Sequence, residues 1–356
     1  MTDLLIESAV LEDRLRDAHP IEVDYASARL IDERSERRRV RRNQLDPMHT
    51  DLDTGVLNAI WNDGGLGYAA TTDLSDRGLA ITVDRARYWA TVTAGAMVTT
   101  APPTSHAVGT YVSPVEVTWD TLPLNDRLEL LQQQSRLLGI DDRIVNWSAS
   151  LVRRDVDQLL LTASRSGDTG RVEQRFRFVY PNLAATANEG TNTLTRSFGG
   201  TAFCGQCGAE VLGRYGFGDA ASRIAEQVLE LLSAPNCPTG VKDALLAPDQ
   251  MVLQIHESIG HPLELDRILG DERNYAGTSF VTPDMFGTYQ YGSELLNVTF
   301  DPTVPGQLAS YGFDDDGTPA ERQHLIENGI LVRGLGGAVS QERSGLPGVA
   351  NSRAQN

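Results

Sequence analysis

His256 and His261 stand five residues apart, with Glu257 directly after the first. That spacing limits what the backbone can do. At about 100° per residue, the second imidazole of a straight α-helix is rotated by roughly 140° from the first. Side chains four apart share a face, and side chains five apart do not. One π turn brings positions five apart nearly into line. Gly260 lacks a Cβ, so the distortion is expected there. If the two rings converge, the chemistry is that of a metal site. Neutral imidazoles bind Zn2+, and the adjacent carboxylate of Glu257 can take a proton from a metal-bound water. A hydrogen-bonded structural His–Glu pair is the competing reading. Glu264 lies three residues beyond His261 and faces it if the helix continues. It stands either as a partner that orients the imidazole or as a substitute ligand.

At 356 residues the chain is long for one domain and sufficient for two. Its net charge of −17 argues against nonspecific nucleic-acid binding. Cys204, Cys207 and Cys237 are too few, and odd in number, for a disulfide framework, and they fit a reducing compartment. Met1 to Val10 carry acidic residues and no basic leader. No uninterrupted apolar run is long enough for a membrane span. The expectation is a cytoplasmic protein that contacts neither membrane nor nucleic acid.

The pattern along the chain predicts an α+β fold. Residues 1–18 read as a helix, with Leu11 and Leu15 among its apolar positions. Ile21, Val23 and Tyr25 alternate as a strand. The run from Glu33 to Arg42 reads as a solvated strand or loop surface, with a phosphate-binding arm as the lesser alternative. Gly55 to Ile60 and Leu66 to Thr71 flank Asp63-Gly64 as a hairpin. Leu79, Val83, Ala86 and Ala90 define one face of a helix. The proline-containing segment from Thr99 to Val115 reads as a linker. A helix from about Asn125 to Gly139 follows. Trp147 to Arg153 and Val172 to Tyr180 alternate as antiparallel strands with one buried face. Asp219 is expected to cap a helix with Ile224, Val228, Leu231 and Leu232 inward. Two prolines between Ala234 and Pro238 mark a boundary. The expected domains are 1–234, an antiparallel sheet with flanking helices (subregions about 20–98 and 112–233), and 235–356, the start of a β-rich domain carrying the histidine helix.

Other constellations are weaker. Cys204 and Cys207 form a C-x-x-C pair without a second pair to complete a zinc ribbon, so a redox or metal role competes with a structural one. Asp314-Asp315-Asp316-Gly317 reads as a turn rather than a calcium loop. Arg333 to Gly337 is a turn or a substrate-facing loop. His19, His49, His106 and His324 stand alone.

The run from Ala247 to Asp266 resembles the signature of the TldD/PmbA family of metallopeptidases. Pro238-Thr239-Gly240 resembles the opening of that family's C-terminal domain. The Gly55 to Ala69 hairpin, Asp315-Asp316-Gly317 and Leu325 to Gly329 resemble further family segments. The TldE/PmbA branch lacks the histidine stretch, so the chain is similar to the TldD branch. The resemblance implies a zinc peptidase acting on peptides or unfolded protein segments. His256 and His261 would be ligands and Glu257 the general base. It also implies a TldE/PmbA-like partner subunit or self-association. A noncatalytic peptide-binding or scaffold subunit is the alternative. The family's third ligand is a downstream cysteine, and no cysteine follows His261 here. The resemblance therefore implies a longer chain than these 356 residues, with an incomplete site in this one.

Overall fold

Period-two alternation with one buried face extends well beyond the stretches that announce it in sequence. The computed structural model describes residues 3–18, 22–99, 105–349 and 351–353. The first part of the chain runs through α1 (Asp3–Ala18), β1 (Tyr25–Arg41), β2 (Gln44–Leu45), β3 (His49–Asn62), β4 (Gly65–Thr71) and α2 (Asp76–Thr93). It continues with β5 (Val108–Val112), α3 (Leu124–Leu138), β6 (Ile144–Ser164) and β7 (Thr169–Glu189). It closes with β8 (Asn192–Phe198), β9 (Gly205–Gln206), α4 (Glu210–Arg214) and α5 (Phe217–Ser233). The strands form one sheet in the order β4-β3-β1-β6-β7-β5, with β2 on β1 and with β8 and β9 on β7. Its pairings are antiparallel except β5 with β7.

One sheet face carries the helices. Ala28, Leu30, Val56, Leu159 and Leu161 pack with Leu15 and Leu79, while Ala26, Ile60 and Ala69 pack with Val83, Ala86 and Ala90. At the other end Val40, Ala149, Leu151, Leu183 and Ala185 meet Leu131, Leu138, Ile224 and Val228. Between these clusters lies the charged run. It is strand up to Arg41, and several of its charges are paired. Glu36 is buried against Arg34, Arg38 and Arg127, and Glu33 binds Arg154 on β6 at 2.5 and 2.7 Å.

Several local expectations are corrected. Ile21 and His19 lie outside the described residues, and β1 starts at Tyr25. The expected linker contains β5, whose Val108 and Val112 are exposed, so no apolar alternation reveals it. Its place is set by parallel pairing to β7. Gly216 caps α5, placing Asp219 in its first turn, and Leu231 is exposed. The Asp63-Gly64 hairpin forms as read, with φ of 50° and 75°.

Residues 234–247 are exposed, without a regular element. A separate region follows. It comprises α6 (Pro248–Ile255), a π turn (His256–Gly260), a 3-10 turn (His261–Leu263) and α7 (Leu265–Leu269). β10 (Val298–Phe300), β11 (Gln323–Glu327), β12 (Ile330–Leu331) and α8 (Ala338–Ser344) complete it. Ile259, Leu263, Val281, Leu325, Ile326 and Leu331 form its core. The region sits on the sheet face opposite the helices. There Tyr311 joins Val156, Phe176 and Phe178, and Asp315 pairs with Arg29 of β1.

α2 lies close on β4 because two glycines permit it. A Cβ at Gly67 would stand 1.9 Å from the Ala86 carbonyl oxygen, whereas one at Gly213 would meet nothing within 4 Å. Gly67→Ala is therefore expected to destabilise the protein by about 1–3 kcal/mol. Gly213→Ala should be neutral or slightly stabilising. Urea denaturation of the two variants checks this, and equal midpoints would contradict the packing argument.

Candidate metal centre

The histidine stretch begins on a well-founded helix. Pro248 occupies its first turn, where a missing N–H costs nothing, and Asp249 adds a favourable charge there. No residue of α6 is buried, and Val252, Leu253 and Ile255 are exposed. The chain is anchored one turn later by buried Ile259 and Leu263.

Between these points the helix changes period. The N–H of His261 donates to the carbonyl of His256, five residues back, which defines the π turn. Pro262 has no N–H to continue it, and the chain tightens into a 3-10 turn closed by Glu264 N–H on the His261 carbonyl at 3.3 Å. Tyr291 secures the distortion by donating its hydroxyl to the Ser258 carbonyl at 2.5 Å. Burial pushes that hydroxyl's pKa up to about 12, so it remains a donor. Gly260 lies in the turn as expected, but its φ is −54° and a Cβ there would meet only the Ile255 carbonyl oxygen at 3.8 Å. Space at that position does not demand glycine.

The π turn brings the two rings together, with centroids 4.3 Å apart and planes at 71°. Donor atoms of His256, Glu257 and His261 all lie within 4.8 Å of one another. His256 and Glu257 are exposed and His261 is half-buried. Glu264 is occupied differently. One carboxylate oxygen lies 3.0 Å from His261 Nδ1 and the other accepts from Arg267 Nε at 2.9 Å. The sequence reading paired Glu264 with His261 but missed Arg267, although the three-residue spacing was a usable signal. Tyr291, thirty residues on, gave no signal at all.

A cavity of about 600 Å³ reaches Glu264, between the sheet and the second region, and the three donor residues do not line it. Ser27, Arg29 and Leu57 line one wall, and Glu264, Leu335 and Gly336 the other. The Arg333 to Gly337 loop is held there by strand-like bonds. Leu335 N–H donates to the Leu263 carbonyl and Leu265 N–H to the Leu335 carbonyl, both at 2.7 Å. Gly334 and Gly336 allow this approach, since a Cβ at either would strike the Leu265 side chain.

The remaining constellations stay apart from the histidines. Cys204 and Cys207 are buried, free, and bonded through Sγ to carbonyls of Gly200 and Gly205. Burial pushes both thiols up to about 11, which keeps them protonated. Asp314 to Gly317 form a turn in which Asp314 accepts from the N–H groups of Asp316 and Thr318. Among the described residues no helix is long and apolar enough to cross a membrane.

The PmbA/TldA metallopeptidase C-terminal domain matches residues 239–356. The chain is 32% identical over 157 residues to a protein named metalloprotease from Methanocaldococcus jannaschii, covering 42% of this chain and 33% of that one. It is 33% identical over 124 residues to a metalloprotease TldD homolog from Buchnera aphidicola, covering 35% of this chain and 24% of the relative. The structure of TldE from Thermococcus kodakarensis superposes with a TM-score of 0.65 at 14% identity, over 97% of this chain and 74% of that one. The matched C-terminal domain and the named relatives support the TldD/PmbA family for this chain. It spans about a third of the length of the M. jannaschii relative. These relatives carry the name metalloprotease, and the TldE likeness speaks for the fold.

The turn at Asp314 carries a pH dependence. Burial raises the Asp314 carboxyl to about 6, above its ordinary value of 3.8. Between those values the folded state holds the extra proton. Asp314's contribution to stability is therefore present below about pH 4 and lost as pH rises through about 6. Its size is at most about 3 kcal/mol. Urea denaturation from pH 4 to 7 should show a decline in the parent that Asp314→Asn flattens; parallel curves would contradict the assignment.

Proposed function

We propose that this chain is a zinc-dependent peptidase of the TldD type, acting on peptides or unfolded protein segments. The observation that carries the proposal is the convergence of His256, Glu257 and His261 on one point by a π turn. The donor chemistry fits zinc, since imidazole nitrogens with a nearby carboxylate are a set this ion accepts. His256 and His261 would hold the ion. Bound there, zinc would polarise a peptide carbonyl and acidify an adjacent water.

The chain's own residues do the rest. Glu257 accepts the proton of the attacking water and delivers it to the leaving amine. Glu264 fixes the His261 ring rather than serving as a substitute ligand, because both its oxygens are already engaged. The neighbouring cavity, bordered by the strand-like 263–265 and 335 backbone, offers room for an extended peptide. The division into an N-terminal domain of residues 1–234 and a metallopeptidase domain from 235 belongs to the same proposal. So do a TldE/PmbA-like partner and a cytoplasmic setting. The noncatalytic scaffold reading is less well supported, since a scaffold has no need of converged donors.

Glu257→Gln is expected to leave zinc binding within about twofold and to lower peptide cleavage by about 100-fold or more. His261→Ala should lose both. Two histidine ligands are fewer than the usual three, so zinc should bind weakly to a polypeptide of these 356 residues and activity should require added zinc. Cleavage of an unstructured fluorogenic peptide, with zinc titration and chelator controls, tests the set. Parent-level cleavage by Glu257→Gln would overturn the assignment of the base.

A further inference from the structure

We infer that Arg267 is a positioning residue for the metal centre, holding Glu264 so that His261 presents Nε2, and not Nδ1, to an ion. The inference rests on the reading of His261 as a ligand. It starts from the geometry around one guanidinium, which is largely buried, its side chain 13% exposed. Arg267 Nε donates to Glu264 at 2.9 Å, one terminal nitrogen donates to the Ala276 carbonyl at 2.6 Å, and the other to Glu272 at 3.2 Å. Three acceptors from three places in the chain thus fix one planar fork. Lysine cannot reproduce this, because its single nitrogen offers no rigid plane.

The consequence falls on the imidazole. Glu264 lies 3.0 Å from His261 Nδ1, and an ionised carboxylate can only accept. In the neutral imidazole Nδ1 therefore carries the proton, which leaves the Nε2 lone pair free. The second terminal nitrogen of Arg267 also lies 3.4 Å from Nδ1. Both groups carry protons, so this longer contact is not a hydrogen bond, and the nearer carboxylate decides the tautomer. Without Arg267, Glu264 loses the bond that holds its second oxygen and can rotate away from the ring. Either nitrogen of His261 can then take the proton, and the fraction of molecules with a free Nε2 falls. Arg343 provides a contrast. It ties the same 271–276 segment through Asp271 but makes no bond to Glu264.

The test uses the 356-residue protein and two readouts. Nitrogen-15 NMR of the metal-free protein reports the His261 tautomer, and zinc competition with a chromophoric chelator reports affinity. Arg267→Met, which keeps the apolar stem, is expected to replace a single Nδ1–H tautomer with a mixture and to weaken zinc binding about tenfold. Arg267→Lys should recover only part of either. Arg343→Met should leave both unchanged. An unaltered tautomer in Arg267→Met would overturn the inference. So would an equal effect of Arg343→Met, which would make Arg267 a mere brace for the segment. If the parent shows the single tautomer and Arg267→Met scrambles it, but neither binds zinc, Arg267's hold on the ring stands and the reading of His261 as a ligand fails.

Discussion

The hydrogen bond from the His261 N–H to the His256 carbonyl is the constraint on which the candidate site depends. It adds one residue to a helical turn, and that residue converts a divergent pair of histidines into a convergent one. The distortion leaves backbone groups that a regular helix would satisfy. Tyr291 takes up one of them at the Ser258 carbonyl, and Pro262 prevents the helix from resuming its normal period. The turn is thus held from outside by a tyrosine and from within by a proline. Gly260 contributes less than its lack of a side chain suggests, because its backbone angles are open to any residue.

The sheet supplies a platform of a different kind. Its long strands bury one face under helices and offer the other to the histidine-bearing region. Asp315 joins the two layers through Arg29, and Gln158 and Arg353 bind the same carboxylate. The cavity lies where the two layers meet. Its walls come from residues as far apart as Ser27 and Arg353.

Charge is used economically. The charged part of β1 looks solvent-borne in sequence, but Glu33 pairs with Arg154 across to β6 and Glu36 with Arg34, Arg38 and Arg127. Around the histidines, Arg267 and Glu264 form a buried-side pair facing an exposed donor group. This arrangement places ordered polar contacts behind the site and leaves its donor atoms open to solvent.

Local signals were enough for much of this molecule. The five-residue histidine spacing required a π distortion at 256–260, the Asp63-Gly64 turn named its hairpin, and the apolar spacing of α2 named its buried face. Each is set by backbone geometry or side-chain period within a few residues. Other features depended on partners distant in the chain. β5 has no apolar period and becomes a strand only because β7 offers an edge. Tyr291 reaches the histidine turn only across the core of the second region. Period and turn chemistry are written into neighbouring residues. A hydrogen-bond partner thirty or a hundred residues away is chosen by how the layers pack, and only the tertiary structure decides that.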